Sequence, residues 1–428
     1  MARALAAGLA IAALIASTSL AAEGPDETAA LAAKLTSKDL AVRIAAAQAL
    51  ARRSPDIGPA IPALAEALAD EYWDVRQGAS EALRKAGAAA VPALVRLIGR
   101  DHYYHRFYAT RILGHIGPEA RTAVPHLGKA LADPALDVRC ESARALAAIG
   151  DARPVAKPLA AALTDPYEGV RAAAVEALGS TGTEALDPLI VLLDHPDGSV
   201  ARSAAAAVCR IGPDAAPAAP ELAALLDREF EAAERAYGQL QEGIYNSRIG
   251  HAIADSPVVD ALAAVGPAAV GPLRERLRRG NPRYNRWLAS ALGRLGPGAA
   301  DAVPDLLDWL RRTKDPWPQA WTALAIGAIH AHADHAIPAL MDLVRLGQDT
   351  PSRHAAMALG RFGPAALGPL AEALSDPEPM VRRAAAIGLA QMGPEAKPAA
   401  AALRRLAKDA DPAVAAEAAR ALQAIRGE

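Results

Sequence analysis

Apolar and small residues along this chain return every three or four positions. Val138, Ser142, Ala145, Leu146 and Ile149 stand at i, i+4, i+7, i+8 and i+11, which is one stripe of an amphipathic helix. The stripe comes back with the same flanks in "DEYWDVRQGASEALRKAG" from Asp70, "DPALDVRCESARALAAIG" from Asp133, "DPYEGVRAAAVEALGSTG" from Asp165 and "DPEPMVRRAAAIGLAQMG" from Asp376. A looser copy, "LAVRIAAAQAL", starts at Leu40. The pattern predicts a helix after each turn Asp, closed by a Gly that permits the positive φ of a helix C-terminus.

A second marker runs through the chain, a Pro followed closely by Leu, at Pro62, Pro92, Pro125, Pro158, Pro188, Pro220, Pro272, Pro304, Pro338 and Pro369. Pro suits the first turn of a helix, where its missing N–H has no partner to lose. Each marker therefore predicts a first helix, and each Asp–Val–Arg frame a second. The spacing of roughly 30 to 34 residues gives about twelve helical hairpins, with one interruption between Pro220 and Pro272.

Composition narrows the architecture. Hydrophobic residues make up 52% but aromatics only 4%, so the core is built from Ala, Leu, Val and Ile on closely spaced helices. One hairpin cannot bury its apolar face alone, and stacking neighbours does. An all-α array over 23–428 follows, rather than two or three separate globular domains.

Pro-x-Leu, a turn Asp, Val-Arg, then Ala-x-x-Ala-Leu closing in Gly resembles the HEAT repeat, in particular the short HEAT-like type of phycobilin lyase subunits, from about Ala29 to Arg426. The resemblance implies a right-handed α-solenoid whose second helices line the concave side. It also implies a structural ladder between neighbouring repeats, carried by Asp74, Asp137, Arg76, Arg139, Arg171 and Arg382. Function is left open by it, since the family includes scaffolds, transport receptors, lyase subunits and a few DNA glycosylases.

The first residues, "MARALAAGLAIAALIASTSLAAEG", have a basic start at Arg3, an apolar run and a small-residue exit at Ser19-Leu20-Ala21. That order predicts a secretory signal peptide over 1–22, hence an exported protein, periplasmic or extracellular. The formal charge is −2, or −3 once Arg3 is removed, and exerts no general pull on nucleic acid. The two cysteines, Cys140 and Cys209, fall at different positions of repeats that are not adjacent. They are expected to be small, half-buried residues rather than a disulfide.

Departures from the frame carry whatever is specific to this protein. On the second helices, the positions equivalent to Glu141, Arg144 and Ala148 form a stripe away from the core. The first of these is small or polar in most copies, but is Tyr108, Trp287, Trp321 or His354 in four. With their neighbours the predicted partner-binding residues are Trp287, Arg294, Trp321, His354 and Arg361, and, in an earlier repeat, Tyr108, Arg111 and His115. Aromatic and Arg side chains are favoured at binding hot spots, although a Trp at this position can also fold onto a neighbouring helix and extend the core.

Other aromatics (Tyr72, Trp73, Tyr103, Tyr104, Tyr167, Tyr284 and Trp317) fall in or beside the turns and are expected to decorate a rim or cap the core. Arg274, Arg276, Arg278, Arg279, Arg283 and Arg286 form a basic run that is either a solvated face or a receiver for an acidic group. The interruption, about 228–256, has Phe230, Tyr237, Leu240 and Ile244 at helical spacing. It predicts an inserted helix, acting as a lid or as a structural patch.

No catalytic elbow, phosphate loop, zinc helix or haem site is present in the sequence, and no cofactor or metal is called for. "HAHADH", with His330, His332, Asp334 and His335, is read as polar turn residues before metal ligands. Three functions remain open. The first is a non-enzymatic exported scaffold holding a protein or peptide on its concave face. The second is a lyase-type enzyme or subunit that binds an acidic small ligand such as a tetrapyrrole. Nucleic-acid binding by stacking is third.

Overall fold

The computed structural model describes residues 25–240, 248, 252 and 256–427. The leader expected over 1–22 lies outside them, as does most of 241–255. Every described element is helical, and the chain divides into two compact units, Met1–Leu192 and Leu193–Glu428. An α-solenoid of paired helices is what the repeat pattern predicts.

In the first unit the helices are Pro25–Lys34 (α1), Leu40–Arg53 (α2), Ile61–Ala67 (α3), Trp73–Ala86 (α4), Val91–Ile98 (α5), Tyr103–Ile116 (α6), Val124–Ala130 (α7), Leu136–Ile149 (α8), Ala156–Ala161 (α9) and Glu168–Leu178 (α10). Leu186–Leu193 (α11) runs up to the division. The second unit continues with Gly198–Ile211 (α12), Ala219–Tyr237 (α13), Pro257–Ala264 (α14), Val270–Arg278 (α15), Pro282–Leu295 (α16) and Val303–Arg312 (α17). Pro316–Ile329 (α18), Ala333–Arg345 (α19), Asp349–Arg361 (α20), Pro364–Ala373 (α21), Pro379–Met392 (α22), Ala400–Leu406 (α23) and Pro412–Arg426 (α24) complete it.

Second helices stack on one another, α2–α4–α6–α8–α10 in the first unit and α12–α14–α16–α18–α20–α22–α24 in the second. In α8 the buried residues are Val138, Ser142, Ala143, Ala145, Leu146 and Ile149, the stripe expected from the sequence. Gly87, Gly117, Gly212, Gly296 and Gly393 end second helices at positive φ and open short 3₁₀ turns. The marker Pro then falls at the second residue of α3, α5, α7 and α17. In α19 and α21 it lies inside the helix, because both helices begin earlier.

Small residues let the second helices approach closely. A Cβ built on Gly327 would lie 2.6 Å from the Cα of Ala358, and one on Gly360 would lie 2.5 Å from the carbonyl oxygen of Gly388. Together Gly327, Gly360 and Gly388 hold α18, α20 and α22 in near-backbone contact.

The ladder is real but uses a different carboxylate from the one expected. Arg43, Arg106, Arg139 and Arg382 donate from Nε to Asp70, Asp133, Asp165 and Asp409 of the next turn, at 2.7, 2.6, 2.6 and 2.9 Å. Each of these Asp residues also accepts the backbone N–H two residues on. Asp74 and Asp137 stand inside the first helical turn, too far along to meet the Arg. Asp137 instead accepts from the Tyr103 hydroxyl at 2.9 Å. Burial, with this carboxylate second, pushes that phenol up to about 12.

Arg76 and Arg171 close their own turns through backbone carbonyls but leave a buried Nε without an acceptor. The turn position that should answer Arg76 holds Arg100, whose carbonyl accepts from Arg106 six residues later. Arg76 is 7% exposed and lies under the Tyr104 ring, its guanidinium carbon 4.2 Å from the centroid. A cation–π contact thus takes the place of an ion pair. Where the frame Arg is replaced by Ala201, Arg228 supplies the turn-closing bonds to the carbonyls of Leu193 and His195.

The start of the interruption, up to Tyr237, is a continuation of α13. Phe230 is buried and stacks on Tyr284 with centroids 4.7 Å apart. Asp227 pairs with Arg276 at 2.9 Å and accepts from Tyr284 Oη, and Glu234 pairs with Arg283. Burial, then Asp227, pushes the Tyr284 phenol well up. Glu229 accepts from Ser256 Oγ at 2.6 Å, yet its burial still raises the carboxyl. These contacts hold the described part of the extension against α15 and α16. Ile244 lies outside the described residues.

Candidate functional site

From α16 to α20 the repeat loses both halves of its ladder. The frame Arg becomes Asn285, Gln319 and then Ser352, all buried. Gln319 donates to the Thr313 carbonyl at 3.0 Å and Ser352 to that of Leu343 at 3.0 Å, so neutral groups now close the turns. Close glycine contacts, such as Gly327 against Ala358 and Gly360 against Gly388, bring these helices together. The departures at Trp287, Trp321 and His354 sit in this same stretch.

The structure separates those three residues. Trp287 is 2% exposed, with its indole Nε1 lacking an acceptor, so it does not stand on an open face. An indole with neighbouring helices in reach buries its large apolar area instead of leaving it in water. Tyr108 is corrected in the same way: it is 4% exposed, and its hydroxyl receives Gln77 Nε2 at 3.4 Å. Arg111 is half-buried, 6.0 Å from the Phe107 ring centroid, and His115 is exposed, with Nδ1 2.9 Å from the Arg111 carbonyl. Arg294 is ion-paired with Asp260. Trp321 and His354 are half-buried and Arg361 is exposed.

Trp321, His354 and Arg361 are joined by residues the sequence pattern did not single out. Leu324, Met357 and Ile387, one turn further along α18, α20 and α22, are each half-buried. They occupy equivalent positions of three second helices that stack on one another. Burial is the main reason the His354 imidazole is held below its ordinary value, outweighing a 2.6 Å contact from Nδ1 to the Thr350 carbonyl. That contact requires the proton on Nδ1, leaving Nε2 as an acceptor.

A lowered imidazole value gives stability that is fully present above the ordinary value of ~6.5 and is lost as pH falls through the lower folded value. His354→Gln removes this titration. As pH is lowered from 7.5 to 5.5, the wild-type melting temperature is therefore expected to fall more than that of the variant. Parallel curves would show that His354 is not desolvated.

The rim aromatics divide too. Trp73, Tyr167 and Tyr72 are 60%, 51% and 43% exposed, and Trp317 is also exposed, whereas Tyr284 is buried. Arg43 and Arg139 lie under Tyr72 and Tyr167 at 5.5 and 5.7 Å from the centroids. The basic run is not a free receiver for acids: Arg274 and Arg278 share Asp305, Arg276 takes Asp227, Arg279 takes Glu275, Arg283 takes Glu234 and Arg286 lies 3.8 Å from Asp315.

Candidate chemistry is sparse elsewhere. Cys140 and Cys209 are free and half-buried, and burial pushes both thiols up, away from the reactive thiolate. In "HAHADH", His335 pairs with Asp334 at 2.7 Å. Among the described residues no three His, Cys, Asp or Glu side chains converge as metal ligands, and no helix is long and apolar enough to cross a membrane.

Comparison with known proteins gives the family. The model for HEAT repeats matches residues 28–104, 91–179, 155–238, 270–360 and 337–423, and the chain belongs to the HEAT-repeat family. No curated protein matches the sequence. Among solved structures, the karyopherin Kap121p bound to the extreme C-terminus of the protein phosphatase Cdc14p is similar, with a TM-score of 0.60 at 16% identity over 94% of this chain and 50% of that one. Kap121p bound to Nup53p gives 0.61 at 15% over 94% and 49%, and Kap121p bound to Pho4p gives 0.61 at 15% over 95% and 50%. At this identity the likeness is one of fold. The chain spans about half the length of the karyopherin chains it matches.

Proposed function

We propose that this chain is a non-enzymatic HEAT-repeat scaffold that holds a protein or peptide segment on the second-helix face of its second unit. The observation that carries the reading is the continuous stripe of Trp321, Leu324, His354, Met357 and Ile387, only half-covered on closely stacked helices. Exposed or half-exposed apolar side chains in a row mark interaction surfaces, and Arg361 at their edge supplies a charge that no described carboxylate takes up. Kap121p, of similar fold, has been solved bound to the extreme C-terminus of the protein phosphatase Cdc14p and to Nup53p. Export through residues 1–22 belongs to the proposal and rests on the order of charge, apolar run and small residues alone.

Peptides selected from a random display library on the wild-type chain provide the test. They are expected to lose about tenfold or more in affinity when Trp321 and Met357 are both replaced by Ala. Both side chains are partly exposed, so the melting curve of the double variant should show it still folded. Selected peptides that bind the folded double variant as tightly as the wild type would sink the reading.

A further inference from the structure

The first-helix layer of the second unit holds a feature that neither the stacking nor the docking face uses. Between α17 and α19 lies a cavity of about 410 Å³, lined by Pro304, Leu307, Arg311, His332, His335 and Pro338, with Ala339 and Asp342 completing it. Its size falls in the range of small-molecule sites, about 300 to 1,000 Å³.

The cavity originates in a local break of the repeat. Before α17, the chain passes from Gly296 through the 3₁₀ turn Gly296–Ala302 and only then enters the helix. Before α19 that turn is missing: His330, Ala331 and His332 are the whole link, and α19 starts at Ala333. His330 takes a φ of 55° where other repeats place Gly, and His332 takes 54° two residues later. Non-glycine residues hold that conformation at a cost. The extra first turn of α19 brings His332 and His335 beside Arg311 of α17.

The lining is selective in its chemistry. Pro304, Leu307, Pro338 and Ala339 make an apolar body. Arg311 bonds through Nε only to the Leu307 carbonyl on its own helix, at 3.2 Å, and no described carboxylate pairs with it, whereas Arg312 beside it is paired with Asp308. His335 holds Asp334 through Nδ1, which leaves its Nε2 for another partner. Asp342, 3.7 Å from Arg345, puts one negative charge in the wall. The Arg311 guanidinium favours an anion, His335 can add a donor through Nε2 only as the imidazolium, and the single carboxylate disfavours a doubly charged ligand.

We propose that this cavity binds a small monocarboxylic acid with an apolar body, its carboxylate toward Arg311. The site lies on first helices and is independent of the peptide-binding face on the second helices.

Calorimetric titration of the whole chain with 4-phenylbutyrate is the test, with 4-phenylbutanamide, acetate and inorganic phosphate as comparators. Saturable millimolar or tighter binding of phenylbutyrate is expected, with the amide and acetate each about tenfold weaker or worse. Arg311→Gln, an exposed change that should leave the melting curve in place, is expected to weaken phenylbutyrate about tenfold. No saturable heat, or binding untouched by Arg311→Gln, would overturn the site. Phosphate binding as well as phenylbutyrate, or the amide matching the acid, would overturn the ligand class.

Discussion

Replacing Asp165 by Ala is expected to lower stability by about 3 kcal/mol, although the residue lies in a surface turn. Both side chains of the Arg139–Asp165 pair are largely buried. Removing the carboxylate strands the guanidinium with only the carbonyls of Asp133 and Pro134, and leaves the Tyr167 N–H without its acceptor. Asp165→Asn keeps an acceptor for that N–H and should fall between wild type and Ala. Burial by itself would raise the Asp165 carboxyl, but the bonds from Arg139 and the Tyr167 N–H prevail and hold it below the ordinary value. The stability it contributes is therefore complete above the ordinary value of ~3.9 and disappears as pH falls through the lower folded value. Urea midpoints of wild type and Asp165→Ala should differ at pH 7 and converge in strong acid. Equal midpoints at pH 7 would reduce the ladder to surface pairing.

The second large effect is one of overpacking by a single methyl group. Gly360→Ala gains up to ~1 kcal/mol in helix propensity. The new Cβ, however, would lie 2.5 Å from the Gly388 carbonyl oxygen and 2.6 Å from Gln391 Cβ. Backbone cannot swing aside as a side chain can, so α20 and α22 must separate. Overpacking of this kind costs about 1 to 3 kcal/mol, and a net loss of about 2 kcal/mol is expected. Gly169→Ala in α10 supplies the control, since nothing stands within 4 Å of its Cβ position and Val170, not a proline, follows it, so the helix gain should appear alone. Thermal melts of the two variants should move in opposite directions. Two shifts of the same sign would mean that the close approach of α20 and α22 does not limit packing.

The repeat architecture is legible in the sequence because it is written many times. The Val138 stripe, the closing Gly and the Val-Arg frame each recur, and recurrence separates them from chance. The outward face is less legible. Trp287 and Trp321 occupy the same register position, yet one is buried and the other half-exposed, and periodicity carries no information about which neighbour leaves room. Leu324, Met357 and Ile387 escaped notice because an apolar residue beside a core stripe looks like more core. One signal was available: Asn285, Gln319 and Ser352 replace the frame Arg in the same repeats that lose the turn Asp, which marks where the stack changes its means of cohesion. The partners of the basic run come from residues up to 49 positions away, such as Asp227 for Arg276, beyond the reach of local spacing.

Tyr104, standing in for a missing carboxylate, has a mechanical consequence. A carboxylate fork fixes a guanidinium in both distance and angle, whereas the face of an aromatic ring fixes the distance and lets the cation slide across it. The joint between α4 and α6 thus lacks the charged fork that Arg43, Arg106 and Arg139 supply between α2 and α4, α6 and α8, and α8 and α10. Flexing of the first unit is expected to concentrate strain at that joint.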